Sequence, residues 1–254
     1  MQTKFTKLAA GIVLSLGVSA SSWALPTWNV NDTVVPGVGA LGDDTVLVDV
    51  LNGRYGANIS QTVISTVVNG GADGNIATPA DNITIVTSTF TETGVGDLSS
   101  YFLNNISVTD TYLNGAGPGA GPGYKIYAAF SVSGVATFKT SGGVTSVDGV
   151  FTTGNAEIYL DANKDSLGGS GDVPTLTIGL DDKLIGTATV VDPSLSGFII
   201  GNLSAKGSYR AVFTDFDLTP FGDTYWNEPV PFHLIAEVSG ENEKFNPAKG
   251  TPGF

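Results

Sequence analysis

Residues 161–166 (DANKDS) put Asp161, Asn163 and Asp165 at alternate positions. That is the spacing by which a tight loop turns oxygen atoms toward one hard cation. Calcium takes about six to eight such oxygens and tolerates irregular geometry. Asp172 falls where an EF-hand loop would place its last, bidentate ligand. Ser166, however, stands where that loop needs glycine for its sharp turn, and no helical pattern flanks the segment, so it is not an EF-hand. The same residue types also make an ordinary polar turn, in which Asp and Asn side chains bond their own backbone. Two readings therefore stand: a structural calcium ion held by Asp161, Asn163, Asp165 and Asp172, or a plain turn.

A second acidic group, Asp215, Asp217, Asp223 and Glu228, surrounds the aromatics Phe216, Phe221, Tyr225 and Trp226. Aromatic rings beside carboxylates suit a sugar surface, and Tyr225 and Trp226 are the rings expected to stack on a glycan. A glycosidase would additionally need two carboxylates set across a scissile bond. Asp181 and Asp182 sit in an expected hairpin turn and take no functional assignment. The chain has no cysteine and a single histidine, His233. Thiol catalysis, thiolate zinc and multi-histidine metal sites are excluded. His233 lies on an expected strand face, and no G-x-S-x-G elbow presents a nucleophile. The glycine-rich stretches do not lead into helices and do not read as phosphate cradles.

The elements that must position these groups are strands. Short alternating runs rich in Val, Ile, Thr, Tyr and Phe recur between Gly, Asn, Asp and Pro clusters, with no sustained helical period. Ile126, Phe130, Ile158, Leu160, Phe213 and Leu234 fall on the inward side of their alternations and are the expected core. Further strands are expected over 45–51, 62–68, 83–90, 175–180 and 184–191. The pattern predicts an all-β fold, an antiparallel two-sheet β-sandwich of jelly-roll type with nine or more strands. The loop at 115–123 (GAGPGAGPG) cannot be a central strand. The strand signals on its two sides match, so residues 25–240 are expected to form one domain. Residues 241–254 lose the alternation and are expected to be a flexible C-terminal tail.

The first 24 residues read as an export signal. Lys4 and Lys7 precede an apolar run at 8–18, and Ser22 and Ala24 are the small residues of a cleavage site before Leu25. The run is shorter than the roughly 20 apolar residues of a membrane-spanning helix, so no membrane span is expected in the mature chain. The expectation is a secreted, extracellular protein. A net charge of −13 argues against nucleic acid and anionic lipid as partners, and only 14% of residues are charged. Most of the surface must then be Ser, Thr, Asn and Gly.

Leu25-Pro26-Thr27-Trp28, the stretch 88–94 (STFTETG), and the segments 124–140, 151–165 and 216–240 resemble the flocculation-associated PEP-CTERM proteins in order and spacing. These are exported bacterial proteins. Their sorting tail, a Pro-Glu-Pro motif with an apolar helix and a basic end, has no counterpart in residues 241–254. The resemblance implies a place in the exopolysaccharide-rich matrix of aggregating cells and implies no activity. Three function classes follow. The first is a non-enzymatic extracellular-matrix protein promoting floc or biofilm formation by self-association or exopolysaccharide contact. The second is a calcium-stabilised carbohydrate-binding module, and the third a secreted polysaccharide hydrolase.

Overall fold

The computed structural model describes residues 3–15, 27–38, 45–70, 74–77, 82–110, 112–113, 123–168, 175–191, 197–200, 208–227 and 235–241. Asp172, Glu228, His233, Leu234, the Ala24–Leu25 junction and most of the 115–123 loop and of the tail lie outside them. In chain order the strands are β1 (Thr3–Ser15), β2 (Trp28–Asn31), β3 (Thr45–Val48), β4 (Val50–Asn69), β5 (Ile83–Leu103), β6 (Ile106–Val108) and β7 (Lys125–Ser141). They continue with β8 (Val144–Asp161), β9 (Leu167–Gly168), β10 (Thr175–Leu176), β11 (Lys183–Val191), β12 (Gly197–Ile200), β13 (Ser208–Leu218) and β14 (Ile235–Glu241). One short α-helix, α1 (Pro220–Tyr225), and a 3-10 turn over Asp32–Val34 complete the described elements.

The class is all-β and antiparallel, with ten strands in the main sheet, as the alternation predicts. Its long members pair with their neighbours in the chain: β4 with β5, β5 with β7, and β7 with β8. β11 and β12 both lie between β8 and β13, β13 pairs with β14, and β1 pairs with both β14 and β4. The ladder thus returns to its start, and the two layers of the fold are opposite walls of one continuous sheet. Neighbour-to-neighbour order of this kind lacks the long crossovers of a jelly roll. The segment read as an export signal supplies β1, with Leu8, Ala10, Ile12 and Leu14 in register opposite Ala57, Tyr55, Gly53 and Leu51.

Side-chain alternation sets the inside from the outside. Along β7, Ile126, Ala128, Phe130, Val132, Ala136 and Phe138 are buried. Ile158, Leu160 and Phe213 join them in one core. Two reciprocal pairs link β5 to β7: Gly94 stands opposite Phe130, and Phe90 stands opposite Gly134. A methyl group on Gly94 would meet the Phe130 ring at 2.3 Å, and one on Gly134 would meet the Phe90 ring at 2.8 Å. Each ring therefore lies over its partner's bare backbone. Phe130 also packs edge-on against Tyr55 at 5.5 Å, and Phe90 against Phe151 at 5.5 Å.

Across the middle of the same wall most outward residues are polar. Thr89, Thr91 and Thr93 of β5 are exposed, as are Asn58 and Ser60 of β4 and Thr152, Thr153 and Asn155 of β8. Thr91 and Ser133 share a hydroxyl–hydroxyl hydrogen bond of 3.0 Å across β5 and β7. Among the described residues no helix is long and apolar enough to cross a membrane.

Polar residues inside the ladder are few. Gln61 donates to the Ser88 hydroxyl at 2.6 Å. Glu92 is also buried, and burial pushes its carboxyl up from 4.5 to about 7. A raised carboxyl means the folded state binds more protons than the unfolded one between about pH 4.5 and pH 7. Stability should therefore fall as pH rises through that window, by about 3 kcal/mol in all. In Glu92→Gln that component should vanish, so the variant gains on the wild type between pH 5 and pH 8 in denaturant melts. A constant difference between the two proteins across that range would contradict the assignment. Phe130→Ala should cost about 3–5 kcal/mol in the same melts; a loss near that of an ordinary surface change would contradict the inward register of β7.

Candidate functional site

One end of the ladder is capped, and the polar side chains of interest gather there. α1 follows β13 directly. Thr219 caps it by accepting the Gly222 N–H at 3.0 Å, and Pro220 occupies the first turn, where a missing N–H costs nothing. The helix turns Tyr225 and Trp226 inward, with 0% and 1% of their surface exposed. Trp226 meets Trp28 edge-on at 6.1 Å and bridges to Val30, which ties β2 across the end of the fold. The sugar-stacking expectation for Tyr225 and Trp226 is thereby corrected: both rings belong to the core. The aromatic and acidic composition of 215–228 suggests a surface, but the Thr-Pro helix start decides the direction of the rings.

Beneath this cap the Tyr225 hydroxyl donates to Tyr124 at 2.9 Å and lies 3.0 Å from Tyr101. Tyr124 Oη is 2.8 Å from Asp32 Oδ1 and 2.6 Å from Asp110 Oδ2. Burial pushes all three phenols upward, and the charge of Asp32 adds to each shift. They stay neutral and serve as hydrogen-bonding struts. Asp110 also accepts the N–H groups of Tyr112 and Leu113 at 2.8 and 3.0 Å, which holds the turn leading away from β6.

The second polar group sits where β8 ends and β11 begins. Asp161 is fully buried, and its oxygens accept the Lys164 N–H at 2.6 Å and the Ser166 N–H at 2.9 Å. Asn163 is exposed and accepts the Asp165 N–H at 3.1 Å. Lys164 adopts φ 66°, a left-handed conformation, within this turn. Of the alternate residues, Asp161 and Asn163 brace the turn and Asp165 is exposed. Asp161 also meets Asp181 and Asp182, each offering an oxygen within 4.8 Å of the others. Asp182 Oδ2 accepts from Tyr127 at 2.8 Å, from Ser166 Oγ at 2.7 Å and from the Gly179 N–H at 2.6 Å. Its Oδ1 and the Oδ2 of Asp181 are buried without a hydrogen bond among the described residues.

Sequence reasoning passed over Asp181 and Asp182 because the pairing of β11 with β8, which brings Lys183 opposite Leu160, is a long-range contact. The doubled aspartate just before a strand was the available signal. Three carboxylates at this spacing fit a cation of calcium's size and oxygen preference. Compared with protein-family models, curated proteins and solved structures, the chain shows no match.

If the cluster holds calcium, a hundredfold excess over the dissociation constant should stabilise the fold by about 2.7 kcal/mol. Thermal melts with calcium and with chelator should then differ in the wild type and coincide in Asp181→Asn. That variant is cleaner than one at Asp161, which also braces the turn. Identical wild-type melts would leave the cluster as a capping device alone.

Proposed function

We propose that this chain is an exported, non-enzymatic extracellular-matrix protein that promotes cell aggregation, in flocs or biofilm, by self-association or exopolysaccharide contact. The observation that carries the reading is a hydroxyl- and amide-lined patch across the middle of β4, β5, β7 and β8, where Asn58, Thr93, Ser131 and Asn155 stand in register, as do Ser60, Thr91, Ser133 and Thr153. Such a wall offers hydroxyl donors and acceptors at strand spacing, which suits the hydroxyl-rich chains of a polysaccharide. The signal-like first 24 residues and the resemblance to flocculation-associated proteins support the same setting, and cleavage before Leu25 would remove β1 from the sheet and leave β4 and β14 open on that side. The uses found for the polar groups support it as well, since Asp110, Asp161 and Asn163 are engaged with backbone amides and the capped-end phenols stay neutral.

The cluster of Asp161, Asp181 and Asp182 favours a second reading, a carbohydrate-binding module stabilised by calcium. In that reading the sugar contacts come from the hydroxyl wall and not from Tyr225 or Trp226.

Deleting the gene should leave growth unchanged while loosening flocs or biofilm, and secreted protein added back should restore them. Normal aggregation of the deletion strain, together with purified protein that neither assembles nor retains matrix polysaccharide, would contradict the proposal.

A further inference from the structure

The outer face of β7 and β8 carries an aromatic pair. Tyr127 and Tyr159 stand directly opposite each other in the ladder, and their rings stack at 5.1 Å with 14° between their planes. Each ring is tied down at its hydroxyl. Tyr127 donates to Asp182 Oδ2 at 2.8 Å, and Tyr159 donates to Glu157 Oε2 at 2.9 Å. Tyr127 is fully buried, whereas Tyr159 and Glu157 each keep part of their surface in water. Tyr159 is thus an accessible ring held in place before anything binds, which spares the ordering cost of a free side chain. The next outward positions along β8 are Glu157, Asn155 and Thr153, and they face Ala129, Ser131 and Ser133 of β7. Each two-residue step is about 6.7 Å, so the ring, the carboxylate and two polar rows form one line about 20 Å long. Ala129 offers only a methyl group, so no large side chain of β7 separates the ring pair from the polar rows.

We propose that this line binds one chain of a neutral polysaccharide, with a pyranose stacked on Tyr159, its hydroxyls on Glu157, and the following sugars on Asn155, Ser131, Thr153 and Ser133. The chemistry of the line selects the occupant. A pyranose has an apolar C–H face and a rim of hydroxyls, and the two need a flat ring and an acceptor side by side. Tyr159 and Glu157 supply both, and the rows beyond supply donors and acceptors for more of the same. A peptide strand is a poor fit, because β7 and β8 are already paired along both edges and leave no backbone groups to extend. Carboxylates surround the ring pair: Asp97 faces Tyr127 from β5, Glu157 bonds Tyr159, and Asp182 bonds Tyr127. With a net charge of −13 on the chain, they disfavour an acidic polysaccharide. This inference rests on the exopolysaccharide contact proposed above and names where on the wall it is made.

The probe is the matrix polysaccharide of the producing strain, divided by anion exchange into a neutral and an acidic fraction. In affinity gels the secreted protein should be retarded by the neutral fraction and not by the acidic one. Tyr159→Ala should weaken the retardation about tenfold or more, the loss usual for removing an aromatic anchor, while Tyr159→Phe, which keeps the ring, should retain most of it. Tyr159→Trp provides a readout that does not depend on the alanine variant folding. Trp28 and Trp226 are buried and Trp23 falls within the export signal, so the new indole alone should shift its emission as the neutral fraction is added. The inference is overturned if folded Tyr159→Ala binds as well as the wild type, if the indole emission does not move while the protein binds, or if the acidic fraction is retained equally. In each of these cases the exopolysaccharide reading survives with a different contact. Wild-type protein that ignores both fractions also overturns it and leaves self-association as the route to aggregation. That wider reading falls only if the protein, in addition, stays monomeric and the deletion strain aggregates normally.

Discussion

The arrangement rests on the contact between aromatic rings and bare backbone across β5 and β7. Phe130 lies over Gly94 and Phe90 over Gly134, in two reciprocal pairs of one ladder. A slip of one residue would turn every side chain of β7 to the other face. A slip of two would bring Phe90 against Val132 or Ala136, both of which carry side chains. The pairs therefore act as a register lock, and the rest follows from it. Ile126, Val132 and Phe138 point inward with Phe130, while Ser131, Ser133 and Thr137 are forced outward. An eight-position ladder, counting β11 and β12 as one, has an interior that side chains alone can fill. The lock thus yields both the packed core and the hydroxyl-lined patch outside it.

The two ends of the ladder are treated differently, and that asymmetry organises the chemistry. At one end β2, the 3-10 turn and α1 cover the core, and most of the buried polar atoms there are engaged with one another or with backbone. At the other, β4 runs past its partner β1 and stands with an exposed apolar edge. The phenols of the capped end are pushed up and stay neutral, and Glu92 lies inside the ladder. Exposed hydroxyls line the outer faces of β5 and β8, and residues 62–69 of β4 stand exposed.

The alternation of apolar and polar residues made the fold class and the inward faces of Ile126, Phe130, Ile158, Leu160 and Phe213 legible in the sequence. Strand lengths were less so. The run expected over 83–90 continues through Gly94 and Gly96 to Leu103, and Gly94 accepts the Phe130 ring from the next strand and does not mark a turn. Closure of the ladder was not legible, since it depends on pairings between distant segments such as β13 with β14. The same holds for the meeting of Asp161 with Asp181 and Asp182. Tyr225 and Trp226 misled because their neighbours are polar, and the helix start at Thr219 and Pro220 is short enough to pass as a turn.

Amide hydrogen exchange along β4, followed as protein concentration rises, tests the central claim most directly. The account predicts that amides of β5 over 84–98, paired with β4 on one side and β7 on the other, are protected at all concentrations, whereas the outward amides within 62–69 of β4 exchange fast in dilute protein and slow as the protein associates. Protection of 62–69 already in dilute monomer would mean that the chain covers its own edge. Rates there that stay fast while the assembly grows would place the contact elsewhere. Either result would contradict the account.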